Sequence, residues 1–260
     1  MRDKVTKDFM YTEVVVNAVK KAGEILMKHY GKVETKLKSS EYDAGSIVTD
    51  ADIEAESYIV GMIQKNFPGH GIFSEERGKI SENEEFAWYI DPLDGTSNFI
   101  RNIPLFGISV GLVNKGRVIF GVLYFPALDL LISAEKGSGA YANGERVNVS
   151  KRPVSQALYW AGGKFKGKQQ LVSSVAQKVG LVKIIDSSSY EFANIAMGNS
   201  EIYYLGNILH DVIAGICIVE EAGGKVTDGE GKPWRLTSEM VLVTNGVVHD
   251  EVLDILILNG

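Results

Sequence analysis

Asp91 and Asp94 stand three residues apart in the stretch Trp88-Tyr89-Ile90-Asp91-Pro92-Leu93-Asp94-Gly95-Thr96-Ser97-Asn98-Phe99. Two carboxylates this close, followed by a glycine and two hydroxyl residues, are hard oxygen donors beside backbone N–H groups. Such a set suits a divalent cation and a phosphate together. The plainer alternative is a polar turn and a helix cap, which is what a single Asp-Gly pair usually means. Other acidic positions carry the same double reading. Glu75 and Glu76 follow the short apolar run Ile72-Phe73, where adjacent glutamates otherwise mark a solvated surface. Asp50 and Asp52 precede an apolar-periodic run, where complementarity to a helix dipole would account for them. Asp211 opens a long apolar stretch, either as a cap or as a ligand. His70 is read as a turn residue, since hard cations prefer oxygen.

The elements that must hold these groups follow from patterning. Residues 86–90 read as a buried strand that stops at Asp91-Pro92, because proline cannot donate to a ladder and fixes its own φ. Asp94-Gly95 then forms a tight turn, and Thr96 or Ser97 caps a short helix. Upstream, Met10, Val14, Ala18, Ala22, Ile25 and Met27 recur at helical spacing over 9–30, with Gly31 as the stop. Val33, Thr35 and Leu37 alternate as in a strand, and 39–45 is a polar loop. Thr49 and Asp50 cap a second helix that carries Ile53, Tyr58, Ile59, Met62 and Ile63. Residues 106–113, 117–125 and 128–134 form an antiparallel meander. The glycine-rich run 137–144 lacks the Lys-Ser/Thr of a P-loop and reads as a hairpin. Beyond Ser150-Lys151-Arg152-Pro153, strand and helix patterns alternate: 157–161, 170–179, 182–185, 190–197 and 202–205. A buried helix over 210–222 ends at Gly223-Gly224, and a last strand and helix occupy 241–244 and 248–258. The fold class is α/β, with an α+β half over 1–150 that has an antiparallel sheet and most of the acidic candidates. An α/β half over 151–260 carries Asp211.

The bulk numbers bound the class of molecule. At 260 residues and 45% hydrophobic content the chain can build a large core. A net charge of −6 without a basic run argues against nucleic-acid binding. An acidic protein that takes a phosphate ester needs local cations, which bound metal supplies. Cys217 is the only cysteine, so no intrachain disulfide forms, and a cytoplasmic setting is expected. The N-terminus shows no signal-peptide pattern, and no window is apolar enough for a membrane span.

The string Asp-Pro-Leu-Asp-Gly-Thr at 91–96, with Val48-Thr49-Asp50-Ala51-Asp52, Ser74-Glu75-Glu76, Gly137-Ser138-Gly139-Ala140-Tyr141 and Asp211 to Gly224, resembles the inositol monophosphatase family of the fructose-1,6-bisphosphatase-like superfamily. The resemblance runs from about Gly23 to the C-terminal helix. It implies a layered α/β/α/β/α sandwich, a homodimer, two or three Mg²⁺ ions with Mn²⁺ as a substitute, and inhibition by Li⁺. Its implied metal ligands are Glu75, Asp91, the Leu93 carbonyl, Asp94 and Asp211, with Glu76 in support. The implied reaction is hydrolysis of a phosphate monoester by water, oriented by Thr96 with Asp52 and Glu75. Backbone N–H groups of Gly95 and Thr96 would hold phosphate oxygens. Implied substrate contacts are Asp94, Gly95, Thr96, Ser187, Ser188, Ser189, Glu191 and Asp211.

Departures bear on the substrate. His210 and Ile213 replace a Trp and an Ala of the family pattern. Leu205 follows Tyr203-Tyr204 where inositol-preferring members carry an acid. The 187–191 segment is similar to the archaeal group that accepts both inositol monophosphate and fructose 1,6-bisphosphate. Lys164, Lys166 and Lys168 either meet a second phosphate or form a solvated loop. Two other activities remain open: hydrolysis of 3′-phosphoadenosine 5′-phosphate, and a regulatory role on the same scaffold, as in bacterial relatives that touch the transcription machinery.

Overall fold

The computed structural model describes residues 5–32, 36–37, 47–48, 50–83, 85–161, 169–206 and 208–259. Val33, Thr35, the loop 39–45, Thr49, Lys164, Lys166 and Lys168 lie outside the described residues. Helix α1 (Val5–His29) precedes a two-stranded antiparallel pair, β1 (Lys36–Leu37) and β2 (Ile47–Val48), and then α2 (Asp50–Asn66). There follow β3 (Gly71–Ser74), β4 (Gly78–Ser81), β5 (Phe86–Asp94), α3 (Thr96–Ile100), β6 (Gly107–Asn114), β7 (Arg117–Phe125), β8 (Leu130–Glu135), β9 (Gly139–Ala142) and β10 (Glu145–Val147). These form an eight-stranded sheet in the order β10-β9-β8-β7-β6-β5-β3-β4, antiparallel except between β3 and β5.

The remainder alternates: β11 (Leu158–Ala161), α4 (Gln169–Ala176), β12 (Leu181–Lys183), α5 (Ser188–Ala196), β13 (Ile202–Gly206), α6 (Leu209–Glu221), β14 (Lys225–Thr227), β15 (Met240–Thr244) and α7 (His249–Asn259). Its sheet, in the order β12-β11-β13-β15-β14, is mixed: β11 runs parallel to both neighbours, while β15 is antiparallel to β13 and β14.

Apolar packing on each face of the two sheets stacks these elements into five layers. On one face of the large sheet, Val15, Val19 and Leu26 of α1 and Ile59 and Ile63 of α2 meet Trp88, Ile90, Val110 and Phe120. On the other face, Phe192 and Ile195 of α5 and Ile216 and Val219 of α6 lie between Leu123 and Ile132 of the large sheet and Tyr203 and Val243 of the small one. Outside the small sheet, Val175 of α4 and Val252 and Leu256 of α7 cover Tyr159, Ile202 and Leu242. The layering is therefore α/β/α/β/α. Strands β5 and β6 are covered on both faces, which is why they read as continuous apolar runs with no alternation.

Two local expectations are corrected. Strand β5 does not stop before Pro92. It pairs Asp91 with Ser109 and then Asp94 with Gly107, a step of three residues against two, so a bulge absorbs the proline and its missing donor. Helix α3 is capped neither by Thr96 nor by Ser97. Its N-cap is Gly95 at φ 81°, ψ 37°, with no side-chain cap. A Cβ there would come within 2.9 Å of the Leu105 carbonyl, so both dihedral and space call for glycine.

Candidate active site

The site grows from one register. Strands β3 and β5 are parallel with Ser74 beside Ile90, and the Glu75 N–H donates to the Ile90 carbonyl at 3.0 Å. Glu75, just past the end of β3, and Asp91, within β5 before its bulge, therefore stand side by side. Across the other edge of β5, Asp91 faces Ser109 of β6. The Ser109 hydroxyl donates to the His210 carbonyl at 3.1 Å, which fixes the first turn of α6 and so Asp211. Helix α6 starts at an Ile208 N-cap without a side-chain cap bond, so Asp211 does not act as the cap that an isolated Asp there would suggest. His210 Nε2 lies 3.3 Å from Asp211 Oδ1.

The bulge at Pro92 aims the next groups. Asp91 Oδ1 accepts from the Leu93 N–H at 2.9 Å, and the Thr96 hydroxyl donates to the Leu93 carbonyl at 3.0 Å. Asp94 turns toward α5. Its Oδ2 accepts from the Ser187 hydroxyl at 2.6 Å and the Ser189 N–H at 2.8 Å, and its Oδ1 from the Ser188 N–H at 3.1 Å. A carboxylate at the N-terminus of a nine-residue helix satisfies orphan donors and complements the dipole.

The electrostatics are those of anions forced together. Asp91 is raised well above the usual carboxylate range, first by burial and then by the charges of Glu75, Asp94 and Asp211, with a hydrogen bond to Glu75 acting the same way. Asp94 is raised to about 6 by burial, against the lowering effect of its bonds from Ser187, Ser189 and Ser188. All the donors are oxygens, and a hard divalent cation is what neutralises such a set. Among the described residues, no three His, Cys, Asp or Glu side chains are grouped closely enough to hold a metal as they stand. Asp94 spends both oxygens on α5, although each keeps a second lone pair. The donor chemistry and the convergence on Asp91 fit Mg²⁺.

Other expected site residues separate by exposure. Asp52 is fully buried on α2, and Glu75 and Thr96 are half-buried. Ser188 reaches the Tyr203 hydroxyl at 3.0 Å. Ser189 and Glu191, expected to meet the substrate, are wholly buried. Ser189 serves through its N–H to Asp94. Burial raises the Glu191 carboxyl well above its ordinary range, while the neighbouring Tyr203 hydroxyl pulls the other way.

Some positioning residues escaped the sequence reading. Ser97 donates to Asp186 Oδ2 at 2.6 Å, and Asn98 Nδ2 donates to the Leu105 and Ile185 carbonyls, each at 2.8 Å. They lock the approach to α5 against α3. Ser109 did leave a signal, as a lone hydroxyl inside the apolar run 106–113. Asn98 left none, because its partners are backbone atoms elsewhere in the chain.

Comparison with known proteins bears on the family and the fold. A family model described as the inositol monophosphatase family matches residues 10–257. The fructose-1,6-bisphosphatase/inositol-1-monophosphatase of Thermotoga maritima is 36% identical over 244 residues, covering 92% of this chain and 93% of that one. The Nus factor SuhB of Pasteurella multocida is 32% identical over 253 residues, covering 93% of each. The solved structure of a Thermotoga maritima IMPase superposes with a TM-score of 0.88 at 33% identity, over 95% of this chain and 97% of that one.

Proposed function

The chain belongs to the inositol monophosphatase family and is a phosphoric monoester hydrolase of a small sugar or cyclitol phosphate; we propose that it works through Mg²⁺ held by Glu75, Asp91, the Leu93 carbonyl, Asp94 and Asp211. The observation that carries the metal reading is Asp91, a carboxylate that burial first and then the charges of Glu75, Asp94 and Asp211 push toward protonation. A cation there turns mutual repulsion into shared attraction.

In this reading Thr96, polarised by Asp52 or reached through Glu75, positions the attacking water with its hydroxyl. The backbone N–H groups of Gly95 and Thr96 would donate to phosphate oxygens where charge develops. Bound Mg²⁺ supplies Lewis acidity, making water more acidic and offsetting charge on the departing oxygen. Asp94 does two things at once, serving the cation and seating the N-terminus of α5, so metal and substrate-facing helix share one side chain. Ser188 would meet the substrate, with the buried Ser187, Ser189 and Glu191 seating that segment. Residues 1–150 supply most ligands, and 151–260 select the substrate.

The substrate is inositol monophosphate, with fructose 1,6-bisphosphate as a second. Leu205 in place of an acid relaxes inositol preference, and the Thermotoga maritima relative bears both names. Mn²⁺ substitutes for Mg²⁺, Li⁺ inhibits, and the protein is a cytoplasmic homodimer. A regulatory role beside catalysis has the similarity to a Nus factor in its favour.

The test is phosphate release from inositol 1-phosphate, fructose 1,6-bisphosphate and 3′-phosphoadenosine 5′-phosphate, with Mg²⁺, with EDTA and with Li⁺. Asp94→Asn should lose at least about two orders of magnitude in kcat, as for a group that acts mainly in the transition state. Near-normal turnover by that variant would remove the assignment.

A further inference from the structure

Helix α2 carries two fully buried acids, Asp52 and Glu56, four residues apart and so on one face. Glu56 is engaged by Arg77 twice. The Arg77 backbone N–H donates to Glu56 Oε1 at 3.3 Å, and Arg77 Nε stands 2.7 Å from Glu56 Oε2. Arg77 Nη2 also donates to the Ser57 hydroxyl on the same helix. Arg77 is the third residue of the turn that begins with Glu75, directly after β3.

A buried carboxylate needs a cation close by, and the Arg77 guanidinium supplies one as an ion pair. Charge neutralisation alone would leave the backbone free, however. Here Glu56 also takes the main-chain N–H of the turn, so it fixes where the backbone goes as well as where the charge sits. The other end of the turn is fixed by the Glu75 N–H on the Ile90 carbonyl. Glu75 is thus held from β5 on one side and from α2 on the other. The α2 anchor lies one helical turn from Asp52, so a single rigid helix sets the spacing of Asp52 and Glu75.

We propose that Glu56, with Arg77, is a positioning residue for the metal site: it holds Glu75 in the orientation that binds Mg²⁺ and faces Asp52. This rests on the reading of Glu75 as a metal ligand. Groups behind a metal ligand typically alter metal affinity by tenfold to a hundredfold when removed.

The experiment measures Mg²⁺ half-saturation from the Mg²⁺-dependent rise in Tm, together with Tm in EDTA and KM at saturating Mg²⁺. Glu56→Gln keeps shape and an acceptor but loses the charge, and Arg77→Met removes the same pair from its more exposed partner. Each should raise the Mg²⁺ half-saturation about tenfold, with KM changed less than about twofold. The double variant should be no worse than Glu56→Gln alone, because one pair is lost only once. Glu75→Gln is the control. If it leaves the Mg²⁺ response intact, the metal reading itself falls. If it abolishes the response while Glu56→Gln and Arg77→Met lower only the Tm in EDTA, the pair is merely structural and the inference is overturned. Should Glu56→Gln fail to fold, Arg77→Met decides alone by the same outcomes.

Discussion

Glu191 sits in the first turn of α5, wholly enclosed, with Tyr203 beside it and Asp94 and Asp186 adding negative potential. Burial favours its neutral form, and both acidic neighbours reinforce that preference. A protonated carboxyl and a carboxamide then do the same work. Glu191→Gln should keep stability within about 1 kcal/mol and KM within about twofold, while Glu191→Ala, which empties the site, should cost about 2–4 kcal/mol. Thermal denaturation and substrate titration of the pair decide this. A tenfold rise in KM for the Gln variant would mean that Glu191 itself meets the substrate, as its position in the sequence suggests.

At the level of elements, the seat of α6 decides where Asp211 lands. Gly111 of β6 and Gly121 of β7 are cross-strand partners. A Cβ on Gly121 would lie 2.3 Å from the Ala214 carbonyl oxygen, and one on Gly111 2.8 Å from the Ala214 N. Backbone therefore packs on backbone, three residues beyond Asp211. Gly121→Ala should push α6 off the sheet, cost about 1–3 kcal/mol in unfolding free energy, and weaken the Mg²⁺ response of Tm. An unchanged Mg²⁺ response would show that Asp211 is placed independently of this contact. Elements of this size were legible where one physical signal dominated. Helical periodicity marked α1 and α2, a long apolar stretch ending at Gly223-Gly224 marked α6, and apolar runs bounded by turn residues marked β6, β7 and β8. Strands β4 and β14 were not foreseen, since Gly78-Lys79-Ile80-Ser81 and Lys225-Val226-Thr227 are short and largely polar. The bulge at Pro92 was missed because its geometry is set by pairing with β6. The acidic residues proposed as ligands stand in short motifs, but the grip of α5 on Asp94 spans 93 residues and leaves no local trace.

For the whole molecule, five layers bring parts of the chain that are distant in sequence to one end of the large sheet, while the far side of the small sheet carries a different liability. His249, at the start of α7, is fully buried with Nδ1 2.9 Å from Thr244 Oγ1 and Nε2 3.0 Å from Thr227 Oγ1. Burial, helped by Lys225, lowers it from 6.5 to about 4. The unfolded chain therefore takes up this proton near pH 6.5 and the folded chain only near pH 4. Its contribution is full above pH 6.5 and is lost as the pH falls toward 4, at up to about 1.4 kcal/mol per pH unit. His249→Gln should flatten the stability profile in that window, as read by denaturant titration between pH 4 and 7; an unchanged slope would assign the acid sensitivity elsewhere. The central claim is more compact: Glu75, Asp91, Asp94 and Asp211 share divalent metal around one buried carboxylate. Anomalous diffraction from crystals grown with Mn²⁺ tests it most directly. We expect metal at about 2.1 Å from Asp91 and Glu75 oxygens, with a further ion reached by Asp94 and Asp211. A catalytically active, Mn²⁺-loaded protein whose metal lies away from Asp91 would contradict it.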